Sequence, residues 1–149
     1  MQRHKSLAPL SREHHETLIL ARLLQTNAPP YKNLPDTPEE KMAYALNLFE
    51  TTILRHFMIE EAMLTRVASS YSGIVELASE ILAEHQEISN DFSSLRHAGN
   101  LVETLNSLGV KLEKHIRKEE RVLFPMIQDH CSEEVLNEVF VLLTEKGSV

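Results

Sequence analysis

Two pairs of histidine and glutamate constrain this chain more than any other feature of its sequence. His56 stands four positions before Glu60, and His115 stands four positions before Glu119 within the stretch LEKHIRKEERVLFP. Residues four positions apart lie about one helical turn from each other, so the members of each pair share one helix face. Each pair also falls on the apolar stripe of its segment, which places an imidazole and a carboxylate in the interior of the fold.

Apolar residues recur at intervals of three and four along four segments, and this periodicity predicts four amphipathic helices. The first covers residues 9–25, and the second begins at a capping box formed by Thr37 and Glu40. The third covers residues 74–95, and the fourth begins at an N-cap on Asn100. Few glycines, no tryptophan and abundant leucine and glutamate also favour helices over a sheet.

Prolines and one further segment complete the predicted fold. Three prolines within residues 26–35 predict a loop after the first helix, and Pro125 should open the fourth because Arg121 loses a backbone donor. A shorter fifth helix begins at Ser132 and covers the others. We therefore predict an all-α, antiparallel up-down-up-down four-helix bundle with a short C-terminal fifth helix, in a single domain over residues 1–149.

Composition excludes several classes of function. The net charge of −7, without a cluster of Lys or Arg, argues against nucleic acid and anionic membranes as partners. Neither an apolar leader nor a run of about 20 apolar residues is present, so we expect a cytoplasmic protein. The single cysteine, Cys131, excludes an intrachain disulfide and a cysteine-based metal cluster. Any metal site must therefore use histidine and carboxylate.

Each of the four bundle helices brings a polar residue, or a pair of them, to the middle of its apolar stripe. Burying imidazoles and carboxylates unpaired would cost several kcal/mol per charge, so we expect a cation to compensate them. Imidazole nitrogen and carboxylate oxygen suit iron, manganese or zinc, and a carboxylate can bridge two ions about 3.5–4 Å apart. Two ions, each with two nitrogens, two oxygens and a shared solvent ligand, would use all six candidates: His14, His56, Glu60, His85, His115 and Glu119.

Four segments on successive helices, EHHETL, LRHFMIEEAML, ILAEHQEI and KLEKHIRKEERVLFP, resemble the hemerythrin-like, or HHE cation-binding, family over nearly the whole chain. The resemblance implies two iron ions, with manganese or zinc as alternatives, a bridging oxo or hydroxo group, and the same six residues as ligands. It also separates this chain from ferritin-like di-iron proteins, whose motif is Glu-x-x-His rather than His-x-x-x-Glu.

One position departs from the oxygen-carrying members of that family. They place a second histidine one turn after the first on the third helix, and Ser89 stands there in this chain. Water, Ser89 or Glu84 beside His85 would then fill the gap. The loss of one ligand makes reversible dioxygen carriage a weaker expectation than a more open site that reacts or senses.

Several assignments stay open at this stage. His15 would replace His14 if the first helix begins in another register, and Glu61 and Glu120 are expected in solvent or in an outer layer around the site. His4 and His97 are expected at the surface, and the adjacency of His130 to Cys131 is interpreted as incidental.

Three functions are consistent with such a site. The first is a di-metal protein that senses, stores or handles oxygen species, nitric oxide or iron, with a small diatomic or anionic ligand at the metals. The second is an oxidase or a peroxide-reducing enzyme. The third is a regulatory interaction module in which the metal is structural, although the sequence indicates no particular protein partner.

Overall fold

The computed structural model describes residues 2–147, and these residues form helices and connecting turns without a β-strand. Residue 1 and residues 148–149 of the predicted domain lie outside the described part. The all-α prediction is confirmed. The α-helices are α1 (Ala8–Leu23), α2 (Pro38–Leu48), α3 (Leu54–Ser70), α4 (Val75–Ser94), α5 (Leu101–Lys118), α6 (Phe124–His130) and α7 (Glu133–Gly147).

The helix starts follow local capping chemistry. The backbone N–H of Glu40 donates to the hydroxyl of Thr37 at 3.2 Å, and the Thr37 N–H donates to the Glu40 carboxylate at 3.3 Å. Asn100 accepts from the backbone N–H of Glu103 at 3.2 Å, and the hydroxyl of Ser132 caps α7 in the same way. These caps satisfy backbone donors that would otherwise lack a partner, and the predicted starts are confirmed.

Two π-helical turns, Phe49–Ile53 and Glu119–Leu123, interrupt the second and fourth predicted helices. In each turn a backbone N–H donates to the carbonyl five residues back instead of four. The predicted opening before Pro125 is confirmed, with one correction. An α-helical register would leave the Arg121 carbonyl without the Pro125 donor, whereas the observed π register places the Glu120 carbonyl in that position.

The apolar core consists of two clusters separated by polar residues. One cluster includes Leu20, Phe92 and Leu112, and the other includes Leu10 and Phe124. Along α1, α3, α4, α5 and the π turn that follows α5, the six candidate residues fall between members of the two clusters. The fold therefore encloses a polar layer between two apolar layers.

The C-terminal helix α7 packs against α3 and adds its buried side chains to the second cluster. It has 15 residues, fewer than α1, α3, α4 or α5, and it begins after Ser132 and ends at Gly147 as predicted. No helix in the described part of the chain is both long and apolar enough to cross a membrane.

Candidate metal centre

All six predicted residues lie in the polar layer between the two apolar clusters. Each of the six residues is at most 5% exposed, and Glu60 and Glu119 are fully buried. His14 is buried whereas His15 is exposed, which settles the register of the first helix in favour of His14. The structure thus brings together residues from α1, α3, α4, α5 and the π turn that follows α5.

The six residues form two groups that share both carboxylates. His14 and His56 form one group with Glu60 and Glu119, and His85 and His115 form the other group with the same two carboxylates. Within each group the donor atoms lie within 4.8 Å of one another. We call the groups the first and the second donor group.

The carboxylate of Glu119 faces both donor groups. Its Oε1 lies 2.9 Å from Nε2 of His14, and its Oε2 lies 3.2 Å from Nε2 of His115 and 3.5 Å from Nε2 of His85. One oxygen is therefore directed at each pair of histidines. Glu119 opens the π turn directly after α5, one helical turn beyond His115.

Glu60 has the same orientation from the opposite helix. Its Oε2 lies 3.4 Å from Nε2 of His56, and its Oε1 lies 2.9 Å from Nε2 of His85. The two carboxylates thus run side by side between the histidine pairs.

The geometry of the donor atoms fits a metal site better than a hydrogen-bonded network. All four carboxylate oxygens, together with Nε2 of His85 and of His115, are buried without a hydrogen-bond partner. Nε2 of His14 faces Nε2 of His56 at 3.1 Å, although neutral imidazoles can place only one proton between them. Ligand atoms bound to one ion at about 2.1 Å lie about 2.9–3.5 Å apart, which is the spacing found between these atoms.

A second carboxylate supports each of the four histidines from outside the centre. In every case the Nδ1 atom is the one that is engaged, so that Nε2 points inward. The four pairs, with the distance from Nδ1 to the carboxylate oxygen, are His14–Glu120 (2.6 Å), His56–Glu13 (3.1 Å), His85–Glu61 (2.8 Å) and His115–Glu84 (2.7 Å).

These outer carboxylates connect the helices in a closed circuit. Glu13 reaches from α1 to α3, Glu61 from α3 to α4, and Glu84 from α4 to α5. Glu120 completes the circuit from the π turn after α5 back to α1. Each histidine is therefore oriented by a neighbouring helix and not by its own.

The sequence did not indicate this outer layer fully. Glu61 and Glu120 lie in this outer layer, which was one of the two positions expected for them. Glu84 contacts Nδ1 of His115 and does not enter the centre beside His85. The role of Glu13 was missed. A signal was present, because all four outer carboxylates are next in sequence to a central residue: Glu13 to His14, Glu61 to Glu60, Glu84 to His85 and Glu120 to Glu119.

The carboxylates make the centre strongly attractive to positive charge. Burial alone would lower the pKa of His56, His85 and His115, but the neighbouring carboxylates raise these pKa values to about 10, about 10 and about 9. Burial would raise the pKa of Glu119, yet the charge of the adjacent histidines holds it well below its usual range. The centre is thus built to hold cations, whether protons or a metal.

Aromatic side chains close the faces of the histidine rings. Phe57 stacks on His85 with 3.9 Å between ring centroids and meets His115 edge-on at 5.9 Å. Phe124 lies parallel to His14 with a centroid distance of 5.6 Å. These apolar contacts exclude water from the rings and restrict their rotation.

The other candidate polar residues lie away from the centre. His97 and His130 are exposed, and His130 stacks on Tyr71 at 4.6 Å. His4, expected at the surface, is partly buried. Partial burial raises the pKa of Cys131 despite the charge of a nearby arginine, so its thiol stays protonated at neutral pH and is not activated as a nucleophile. Ser89 is partly exposed one turn beyond His85.

Comparison with known proteins identified one similarity. A family model described as the hemerythrin HHE cation binding domain matches residues 6–127. No curated protein and no solved structure matched the sequence significantly. The matched stretch contains all six central residues and all four outer carboxylates, and it ends before α7.

Proposed function

This chain belongs to the hemerythrin HHE cation-binding domain family, and on that premise we propose that it binds two metal ions, preferably iron, in its buried centre. The family and the buried donor groups support cation binding. One observation carries the proposal of two ions: in both Glu60 and Glu119, one carboxylate oxygen faces the first histidine pair and the other oxygen faces the second pair. Carboxylates placed in this way bridge two ions.

The donor set supports iron at both positions. Each ion would take two imidazole nitrogens and two bridging carboxylate oxygens, with an oxo or hydroxo group as a fifth, shared ligand. Imidazole and carboxylate together suit iron, with manganese and zinc as the alternatives. The ligands that we propose are the six residues named from the sequence: His14, His56, Glu60, His85, His115 and Glu119.

The circuit of outer carboxylates supports an up-down-up-down arrangement of the four long helices. It links α1 to α3, α3 to α4, α4 to α5 and α5 back to α1, so helices that follow one another in sequence are neighbours in space. The connections from α3 to α4 and from α4 to α5 are short, which favours an antiparallel arrangement of these neighbours, whereas residues 24–37 separate α1 from α2.

We propose that the protein senses, stores or handles oxygen species, nitric oxide or iron in the cytoplasm. When bound, the two ions supply redox chemistry and an exchangeable coordination position for a small diatomic or anionic ligand. The chain's own residues keep a proton at Nδ1 of each histidine and leave Nε2 available for the ion. Phe57 and Phe124 cover the faces of the His85 and His14 rings and exclude water from them.

The test is iron loading followed by a search for an exchangeable ligand. Protein loaded anaerobically with Fe²⁺ and then oxidised should contain two irons per chain, and azide should produce a new charge-transfer absorption band. Glu119→Gln should hold fewer than two irons, whereas the exposed Glu87→Gln should hold two. Wild-type protein that takes up no iron would disprove the proposed di-iron centre, and two irons without a response to azide would indicate a structural metal.

A further inference from the structure

The segment before α1 reaches across the molecule to the chain that follows α5. Nη2 of Arg3 donates to the backbone carbonyl of Glu120 at 2.8 Å and contacts Oε1 of the same residue at 3.1 Å. Nη1 of Arg3 donates to Oε1 of Gln128 at 3.1 Å, and the backbone N–H of His4 donates to the same oxygen at 2.9 Å. Arg3 is therefore held in place while it contacts both the backbone and the side chain of Glu120.

The backbone contact supplies a donor that Pro125 cannot provide. In the π turn Glu119–Leu123, the N–H of Phe124 donates to the Glu119 carbonyl. In the same register, the N–H of residue 125 would donate to the Glu120 carbonyl. Proline has no N–H, and the Glu120 carbonyl is left to an outside partner. Arg3 is that partner. The other π turn, Phe49–Ile53, is followed by no proline and needs no such donor.

The side-chain contact acts on the partner of His14. The Glu120 carboxylate accepts from the hydroxyl of Ser11 at 2.8 Å and engages Nδ1 of His14 at 2.6 Å. Arg3 adds a third, charged partner to this carboxylate. Held on three sides, the carboxylate has little freedom to leave the His14 ring.

The guanidinium of Arg3 also lies behind the ring that covers His14. It sits 5.3 Å from the centroid of Phe124, and Phe124 in turn stacks on His14. The edge and the face of the His14 imidazole therefore both rest on groups that Arg3 contacts.

This support is confined to one histidine. The cations beside the other outer carboxylates lie on helices, with Arg55 of α3 at 3.5 Å from Glu13 and Lys118 of α5 at Glu84. Among the ion pairs of the described residues, none joins a lysine or an arginine to Glu61, the carboxylate beside His85. Loss of Arg3 should therefore affect the first donor group and leave the second unchanged.

We propose that Arg3 is a positioning residue for the metal position of His14 and His56. It completes the backbone of the π turn at Glu120 and fixes the carboxylate that orients His14. The inference rests on the proposed function, because it concerns one of the two metal positions proposed there. The short segment before α1 thus contributes directly to a difference in affinity between the two metal positions.

The test compares Arg3→Gln with Arg12→Gln, an exposed arginine on α1 whose loss changes the net charge equally. Titration of the metal-free proteins with Co²⁺, followed by its visible absorption, should resolve two binding steps. In Arg3→Gln one step should weaken about tenfold, as for other residues that support a ligand from outside, and the other should not change. Arg12→Gln should match the wild type.

A spectroscopic readout identifies the position affected. In Zn²⁺-loaded protein labelled with ¹⁵N-histidine, the Nδ1–H signal of His14 should shift in Arg3→Gln, whereas the signals of His85 and His115 should stay.

The remaining outcomes separate the two proposals. If the wild type takes up fewer than two Co²⁺ ions, the proposed function fails. If it takes up two, and Arg3→Gln binds both as tightly or loses both equally, the inference is overturned. A merely structural segment would lower the melting temperature of the metal-free Arg3→Gln protein without altering the ratio of the two affinities, and this result would also overturn it.

Discussion

At the scale of the residue, the two nitrogens of each central histidine have separate tasks. Nδ1 meets a carboxylate from the next helix, and Nε2 faces the interior. A neutral imidazole that donates from Nδ1 must carry its lone pair at Nε2, so the outer carboxylate selects the tautomer that a metal requires. The outer carboxylates therefore orient each Nε2 towards the interior of the centre.

Replacement of one outer carboxylate tests this division of tasks. Glu84→Gln should weaken metal binding about tenfold, because a neutral amide is a poorer acceptor for Nδ1–H of His115. The control is Glu87→Gln, on the same helix, whose carboxylate contacts Lys111 at 2.7 Å and no histidine. Competition titration with a zinc chelator measures both affinities, and equal affinities for the two variants would contradict the prediction.

Protons and metal ions should compete for the same nitrogens. The pKa values of His56, His85 and His115 are raised from 6.5 to about 10, about 10 and about 9, so these rings are protonated at neutral pH in the metal-free protein. Metal must displace those protons, and its affinity should therefore rise as the pH increases from 7 towards 9. Calorimetric titration in two buffers with different ionisation enthalpies counts the protons released; an affinity independent of pH would refute this.

The same shifts set the pH dependence of the metal-free fold. Because the folded-state pKa values exceed the unfolded value of 6.5, the stabilisation that they contribute is complete below about pH 6.5 and is lost as the pH rises through 9–10. Metal-free protein should thus unfold more easily in urea at pH 10 than at pH 6.5.

At the scale of the element, both helices that carry a His-x-x-x-Glu pair contain a π turn beside the pair. Phe49–Ile53 ends three residues before His56, and Glu119–Leu123 begins on the carboxylate residue itself. Each turn inserts an extra residue and changes the direction in which the following side chains point. Pro125 accounts for the second turn, since an α-helix is interrupted before a proline. We have no comparable residue to account for the first.

The contact between α1 and α5 depends on Gly109. A Cβ atom at this position would lie 2.5 Å from the carbonyl oxygen of Ala21, which is backbone and cannot rotate away. Gly109→Ala should therefore separate the helices and lower the free energy of unfolding by about 1–2 kcal/mol, even after the gain of about 1 kcal/mol in helix propensity.

Gly99→Ala is the matched control for this substitution, because a Cβ at residue 99 meets no atom within 4 Å. Urea unfolding of the metal-free proteins measures both free energies. Equal stability of the two variants would mean that separating α1 and α5 costs no more than the gain of about 1 kcal/mol in helix propensity, and this would contradict the prediction.

At the scale of the whole molecule, the polar centre is the point at which four helices are tied together. It lies between two apolar clusters, and the outer carboxylates join the helices in a circuit around it. A cation bound to the centre would connect all four helices at once, so binding and folding should be coupled.

Thermal unfolding should therefore depend on metal concentration. At a free metal concentration 100 times the Kd, the stabilisation is about 2.7 kcal/mol, which raises Tm by about 5–10 °C for a chain of this size. Mg²⁺, which prefers oxygen ligands, should raise Tm far less than Zn²⁺ or Co²⁺. A differential scanning experiment that finds the same increase with Mg²⁺ would argue against the imidazole-rich site.

Much of the fold could be predicted because its signals are local. The starts at Thr37, Asn100 and Ser132 were predictable from capping chemistry, which involves residues three positions apart. The six central residues were predictable from helical periodicity, since a polar side chain on an apolar stripe must point inward. The helix against which α7 packs was not predictable, because its contact with α3 joins residues far apart in the sequence.

The order of side chains along each helix is enough to predict which residues enter the interior, because helix period and burial depend on that order. The packing of the helices is needed to assign each outer carboxylate to a neighbouring helix and each oxygen of Glu60 and Glu119 to a histidine pair. It is also needed to show that Arg3 donates to the Glu120 carbonyl. These contacts join residues up to 117 positions apart, and their partners depend on how helices pack and on a π turn that shifts the register, neither of which is a local property.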